Sequence, residues 1–221
     1  MAARHMLGAL VIAHSVTAAS PAAADRDAAD AARIDWAAGR VTAGGTGIAD
    51  RHAPSPAVAL GTSRRGADDA AKQRIAAKLG SLPLVTGGTL ASKLTDPALK
   101  ARIDAAVAAA ITVAAEPETD GSWHVTLAVP LEAIRIALAQ PRVLAADGDG
   151  GPPIVVVEHV TGKPALGWSV GGIAAATLWV KDIPAWAKDA PRVTARFAHA
   201  STIDLDRPAG TPATLFVLVA N

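Results

Sequence analysis

Apolar residues recur every four positions in "GADDAAKQRIAAKLGSLP", placing Ala67, Ala71, Ile75 and Leu79 on one stripe. That spacing predicts an amphipathic helix. Asp68 and Lys72 stand four apart in the favourable order, and Gly80 and Pro83 supply a stop. The helix can start as early as Pro56, an extension that Gly61 and Gly66 weaken. A second helix is predicted in "LTDPALKARIDAAVAAA", with Thr95 or Asp96 as cap and Pro97 in the first turn, where its missing N–H costs nothing. Leu99, Ile103, Val107 and Ala110 share its apolar face, and its remaining small residues permit close approach to a sheet.

The period then changes from helical to two. In "ITVAAEPETDGSWHVTLAVPL", Trp123, Val125, Leu127 and Val129 fall on one face and His124, Thr126 and Ala128 on the other, the signature of a half-buried strand. Asp120-Gly121 predicts a two-residue hairpin turn before it. "LEAIRIALA" reads as a short helix with Leu131, Ile134 and Leu138 on one side. Upstream, Ile34, Trp36 and Val41 are strand-like around a turn at Ala38-Gly39, and the glycines at 44, 45 and 47 read as a bend at the strand end. Downstream, "PIVVVEHV", "ATLWV", "RVTARFAHAS" and "ATLFVLVA" are candidate strands.

One-sided helices and an alternating strand need each other's apolar faces. The fold expected is α+β, two helices packed on one face of an antiparallel sheet, with a β-rich C-terminal extension. The domain divisions expected are a signal peptide at 1–24, a polar lead-in at 25–33, an α+β domain at 34–140, a Gly/Pro/Asp linker at 141–153 and a β-rich module at 154–221. Arg4 and His5 precede the apolar run "LGALVIAHSVTAA", and "PAAAD" offers small residues for a cut after Ala24. The run is about 13 residues against the ~20 that span a bilayer. The mature chain is therefore expected to lack a transmembrane span and to be periplasmic or extracellular.

Composition narrows the chemistry. With 221 residues, a formal net charge of +1 and no basic block, no general field draws nucleic acid. The chain has no cysteine, which excludes disulfides, thiolate metal sites and thiol nucleophiles. The glycine cluster runs into "IADRHAPSP" rather than a helix, and Gly162-Lys163 is followed by proline, so neither a dinucleotide fingerprint nor a P-loop is present. "GWSVG" matches the nucleophile-elbow pattern around Ser169, yet strand-like residues follow where a helix belongs. A hairpin turn at Gly171-Gly172 accounts for its glycines. His124, His159 and His199 lie on candidate strands and His52 in a loop, without the close pairing of metal ligands. "DGDGG" at 147–151 lacks the later glutamate of a calcium loop. No cofactor and no metal is expected. Trp168, Trp179 and Trp186 are grouped late in the chain, two of them beside lysines in "LWVKDIPAWAKD". Amphipathic aromatics of this kind favour interfaces, so the three form the candidate interaction surface, with use as core as the alternative.

The order of these elements resembles the lipoprotein-20 family and the related N-terminal domain of flagellar assembly protein T. The matching positions are Trp36, Gly39, Gly45 and Gly47, then Ala70, Ala71 and Leu79, then Asp120, Gly121, Trp123, Val125, Pro130 and Leu131. The likeness covers roughly residues 34–135. Lipoproteins of that family carry a lipidated cysteine, so the resemblance implies an exported, non-lipidated member. It also implies an envelope protein that binds others or helps assemble surface structures, and it brings no catalytic residues. The function expected is non-enzymatic, acting on an envelope protein or cell-wall component. Two rivals are an exported hydrolase using Ser169 or a histidine-bound metal, and a module binding cell-wall sugar or peptide through the late tryptophans.

Overall fold

The computed structural model describes residues 30–139, 154–209 and 215–220. The expected signal peptide and linker lie outside the described residues, as does the calcium-like 147–151 stretch. Among the described residues the class is α+β, with three helices of two turns or more and two sheets.

The first sheet is built from β1 (Arg33–Asp35), β2 (Arg40–Gly47), β3 (Ile111–Pro117) and β4 (Trp123–Pro130). Its order is β1-β2-β4-β3 and every pair is antiparallel. Helix α1 (Pro56–Gly80) lies across β2 and β4. Ser55 caps it, its hydroxyl accepting from the Val58 N–H at 3.3 Å, and Pro56 occupies the first turn. The four-residue stripe is the buried one: Ala67, Ala71, Ile75 and Leu79 are 0–1% exposed, and Ser63 extends it. Helix α2 (Pro97–Ala108) begins at an Asp96 cap and buries Leu99, Ile103 and Val107. The third helix, α3 (Leu131–Ala139), follows β4 directly and adds Leu131, Ile134 and Ala137 to the same core. No ion pair or hydrogen bond joins Asp68 to Lys72, so the expected pair on α1 is not formed among the described residues.

Two local expectations are corrected. The glycine stretch is not a bend at a strand end but the body of β2. A Cβ at Gly45 would collide with the Ala67 carbonyl, and one at Gly47 with the Ser63 carbonyl. Glycine there lets the backbone of α1 rest almost directly on the strand. Asp120-Gly121 does not form a two-residue turn either. Residues 118–122 make a wider loop, closed by Glu118 N–H to Ser122 O at 2.8 Å and Gly121 N–H to Glu118 O at 3.0 Å.

The second sheet comprises β5 (Ile154–Val160), β6 (Ser169–Val170), β7 (Ala176–Val180), β8 (Arg192–His199), β9 (Thr202–Leu205) and β10 (Leu215–Ala220), in the order β6-β9-β8-β5-β10-β7. It is largely parallel: β10 pairs in parallel with both β5 and β7, β5 with β8, and β6 with β9. β10 sits between β5 and β7, and β5 and β10 are buried on two faces. Val155, Val157, Phe216 and Leu218 enter one core. Val156 and Val217 enter a smaller one, closed by Ala187 of the 3-10 turn Ala185–Ala187.

The halves touch. The Val85 N–H donates to Leu166 O at 2.9 Å, Leu166 N–H to Pro83 O at 3.0 Å, and Trp179 N–H to Trp36 O at 3.1 Å. Leu166 belongs to the first core, while Val85 and Trp36 pack against the second.

Candidate functional site

Ser169 opens the two-residue strand β6 and does not sit on a strand-to-helix elbow. Gly171 and Gly172 have φ of 55° and 81°, and Val170 and Ile173 exchange both backbone hydrogen bonds across them, at 2.9 and 3.0 Å. This is the two-residue hairpin expected from the glycines, in a conformation that L side chains resist. The Ser169 hydroxyl lies 3.0 Å from that of Thr202 and donates to Ser201 O at 3.2 Å. Register puts Ser169, Thr202 and His199 in one row across β6, β9 and β8, with Thr202 between the other two. His199 instead faces Asp204, Nδ1 to Oδ2 at 3.4 Å, and its ring lies 5.2 Å from that of Phe197. The nucleophile–base hydrogen bond that an activated serine needs is not made here.

The histidines are dispersed. His52 is exposed in a loop and His159 is exposed at φ 61° in β5. His124 is in the first sheet. Among the described residues no group of three or more His, Cys, Asp or Glu side chains is placed to hold a metal ion.

His124 belongs to a polar cluster that the sequence does not announce. Asp30 comes from the expected polar lead-in, yet it is only 2% exposed. It lies against Gly44, where any side chain would displace it. His124 Nε2 is 2.5 Å from Asp30 Oδ1, Arg74 donates to Oδ2 at 2.8 Å and Thr46 to the same oxygen at 3.4 Å. Arg74 also donates to Gly44 O at 2.8 Å. Burial pushes the Asp30 carboxyl upward, but the hydrogen bonds from His124 and Arg74, with their charges, outweigh it and hold the group below its ordinary 3.8. Asp30 therefore stays ionised and ties α1, β2 and β4 together. An ionised buried carboxylate with its oxygens already engaged is an anchor for the fold.

The late tryptophans do not share an exposed face. Trp168 and Trp179 are 8% and 4% exposed, with ring centroids 6.2 Å apart in the second core. Trp186 alone stands out, at 56% exposed. The expected interaction surface is corrected on this point: a module with few aromatics places two of the three indoles in its core. Trp36 and Trp123 are half-buried, the latter beneath the Arg64 guanidinium at 4.9 Å.

Trp186 borders a groove of about 820 Å³ where β1 and the turn after it face β7. Trp36 and Ile34 line one wall, and Val180, Pro184 and Trp186 the other. Arg33 and Asp35 stand on the first wall, Lys181 and Asp182 on the second. Asp35 accepts from the Ala38 N–H at 2.9 Å. The side chains of Arg33, Lys181 and Asp182 have no ion-pair or hydrogen-bond partner among the described residues. The arrangement is an apolar, aromatic floor with unpaired charge at its margin, the anatomy of a contact surface. "LWVKDIPAWAKD" pointed to the second wall; only the tertiary structure brings the first wall to it.

Among the described residues no helix is long and apolar enough to cross a membrane. A scan against protein-family models matches none, and a search of curated proteins finds no match.

Proposed function

We propose that this is an exported envelope protein that acts by binding another protein, with the groove beneath Trp186 as its contact surface. The observation that carries the reading is the exposed indole at the edge of an apolar groove flanked by unpaired charges. Tryptophan and arginine are the residues that most often dominate contact energies. The export reading rests on the apolar run before Ala24. The likeness of residues 34–135 to the lipoprotein-20 family supports a part in assembling surface structures. The engagement of Ser169 by Thr202 and Ser201, and of His124 by Asp30, favours contact over catalysis.

The test is capture from envelope extracts with the mature chain, run beside Trp186→Ala and the half-buried control Ser169→Ala. A partner retained by wild type and Ser169→Ala but lost with Trp186→Ala supports the reading. Capture of nothing, or of the same proteins by all three, defeats it. Cell fractionation checks export: the processed chain should leave the cytoplasm, and retention of an unprocessed chain there removes that part of the reading.

A further inference from the structure

We infer, resting on the reading of this groove as a contact surface for another protein, that the partner enters it with a proline-rich segment in the polyproline II conformation. Such segments dock in aromatic-lined grooves, because they are already extended and lose little freedom on binding.

Three of the chain's five tryptophans, Trp36, Trp179 and Trp186, line the groove. Trp36 is half-buried and Trp186 is 56% exposed, so two indoles reach solvent there. The turn Ala185–Ala187 that presents Trp186 is fixed in the second module: Ala187 is fully buried against Val156 and Val217, and its N–H donates to Pro184 O at 2.9 Å. A backbone fixed before the partner arrives saves the cost of ordering it on contact.

Hydrogen-bonding groups decide between extended partners. An ordinary strand brings an N–H with each residue, and one set on an apolar floor without an acceptor carries a desolvation penalty that nothing offsets. The ladder that would offset it is already used at β7, where the Trp179 N–H donates to Trp36 O at 3.1 Å. Proline has no N–H to leave unpaired. A polyproline II segment makes no internal hydrogen bonds, so its carbonyls remain free to accept. The groove offers donors for them: the side chains of Arg33 and Lys181 and the Trp186 indole N–H have no partner among the described residues. Asp35 and Asp182 balance the two cations, so the margin has no net charge that would select a strongly charged segment instead.

Fluorescence titration of the mature chain with a blocked decaproline peptide tests this, with a blocked Gly-Ser peptide of equal length as control. Decaproline has no aromatic group, so any change reports the chain's own indoles. Wild type should show a saturable change with decaproline and none with the Gly-Ser peptide. Trp186→Ala should weaken decaproline binding at least about tenfold, as loss of a central tryptophan does. Trp186→Phe should recover part of it, since an aromatic face is kept while the indole N–H is lost. Circular dichroism should be unchanged in both variants, because Trp186 is exposed. Proteins captured through Trp186 should carry proline-rich stretches and be released by decaproline. A chain that ignores decaproline, binds both peptides alike, or binds decaproline equally well without Trp186 overturns the inference. If a protein is captured through Trp186 and decaproline neither binds nor releases it, the inference fails and the proposed function stands. If nothing is captured and decaproline does not bind, both fail. A Trp186-dependent response to soluble cell-wall glycan fragments, with none to decaproline, assigns the groove to a saccharide and overturns the inference.

Discussion

In the first half of the chain a helix covers the sheet; in the second, the central strands β5 and β10 are covered on both faces with no α-helix among the described residues. Helix α1 sets the small residues Ser63, Ala67 and Ala71 of its buried stripe against β2, where Gly45 and Gly47 remove the side chains that would hold it away. The core there is formed by backbone approach as much as by bulk. Among the described residues the second half has parallel strands without the α-helical crossovers that usually accompany them. It fills its core with Trp168, Trp179, Phe216 and a set of valines, and it closes the far face with a single turn carrying Ala187. A helix with small residues tolerates no added volume under it, whereas a core of large side chains is damaged most by removing volume.

Opposite substitutions should therefore break the two halves. Phe216→Ala should cost most, about 3–5 kcal/mol, because Phe216 is fully buried in the strand between β5 and β7. Urea denaturation followed by tryptophan fluorescence measures it; a loss under about 1 kcal/mol would mean the second core is not packed as described. Gly47→Ala should cost about 3 kcal/mol by overpacking, although it adds one methyl group, while Gly61→Ala on α1 should be neutral or stabilising, since nothing lies near its Cβ position. Equal effects at the two glycines would remove the close-approach argument.

Asp30→Asn should cost about 2 kcal/mol at neutral pH, less than a fully buried pair, because Arg74 and His124 are part exposed. The sign with pH follows from the lowered carboxyl. Its contribution is complete above the unfolded value near 3.8 and is lost as pH falls through the folded value. The gap between wild type and Asp30→Asn should thus be level from pH 7 to about 5 and narrow below about 4. A gap that widens on acidification would contradict the assignment. Ser169→Ala should cost least in the core regions, about 1 kcal/mol or less, for one lost hydroxyl interaction. Trp186→Ala should leave stability within about 0.5 kcal/mol, separating a surface role from the core role of Trp168 and Trp179.

How much of this was legible differs by element. The helical stripe at Ala67, Ala71, Ile75 and Leu79 and the Asp96 cap were readable because helix periodicity and capping are local. The strand runs "IVVV" and "LFVLV" were readable as strands. Their parallel pairing was not, since it joins residues some sixty positions apart. Gly45 and Gly47 looked like a bend, because nothing local says that a helix will lie on them. Asp30 was missed for the same reason: inside "DRDAADAAR" it resembles any solvated acid. Its partners come from residues 44 and 94 positions away.

The sequence by itself determined the α+β class, the apolar faces of the helices and the hairpin glycines at 171–172, because periodicity, caps and backbone freedom act over a few residues. Only tertiary structure decided which tryptophans are core and which is surface, that Asp30 is buried and ionised, and that β1 faces β7 across a charged groove. Burial and pairing between distant segments depend on which surfaces meet in space, and residue spacing along one strand or helix does not specify that.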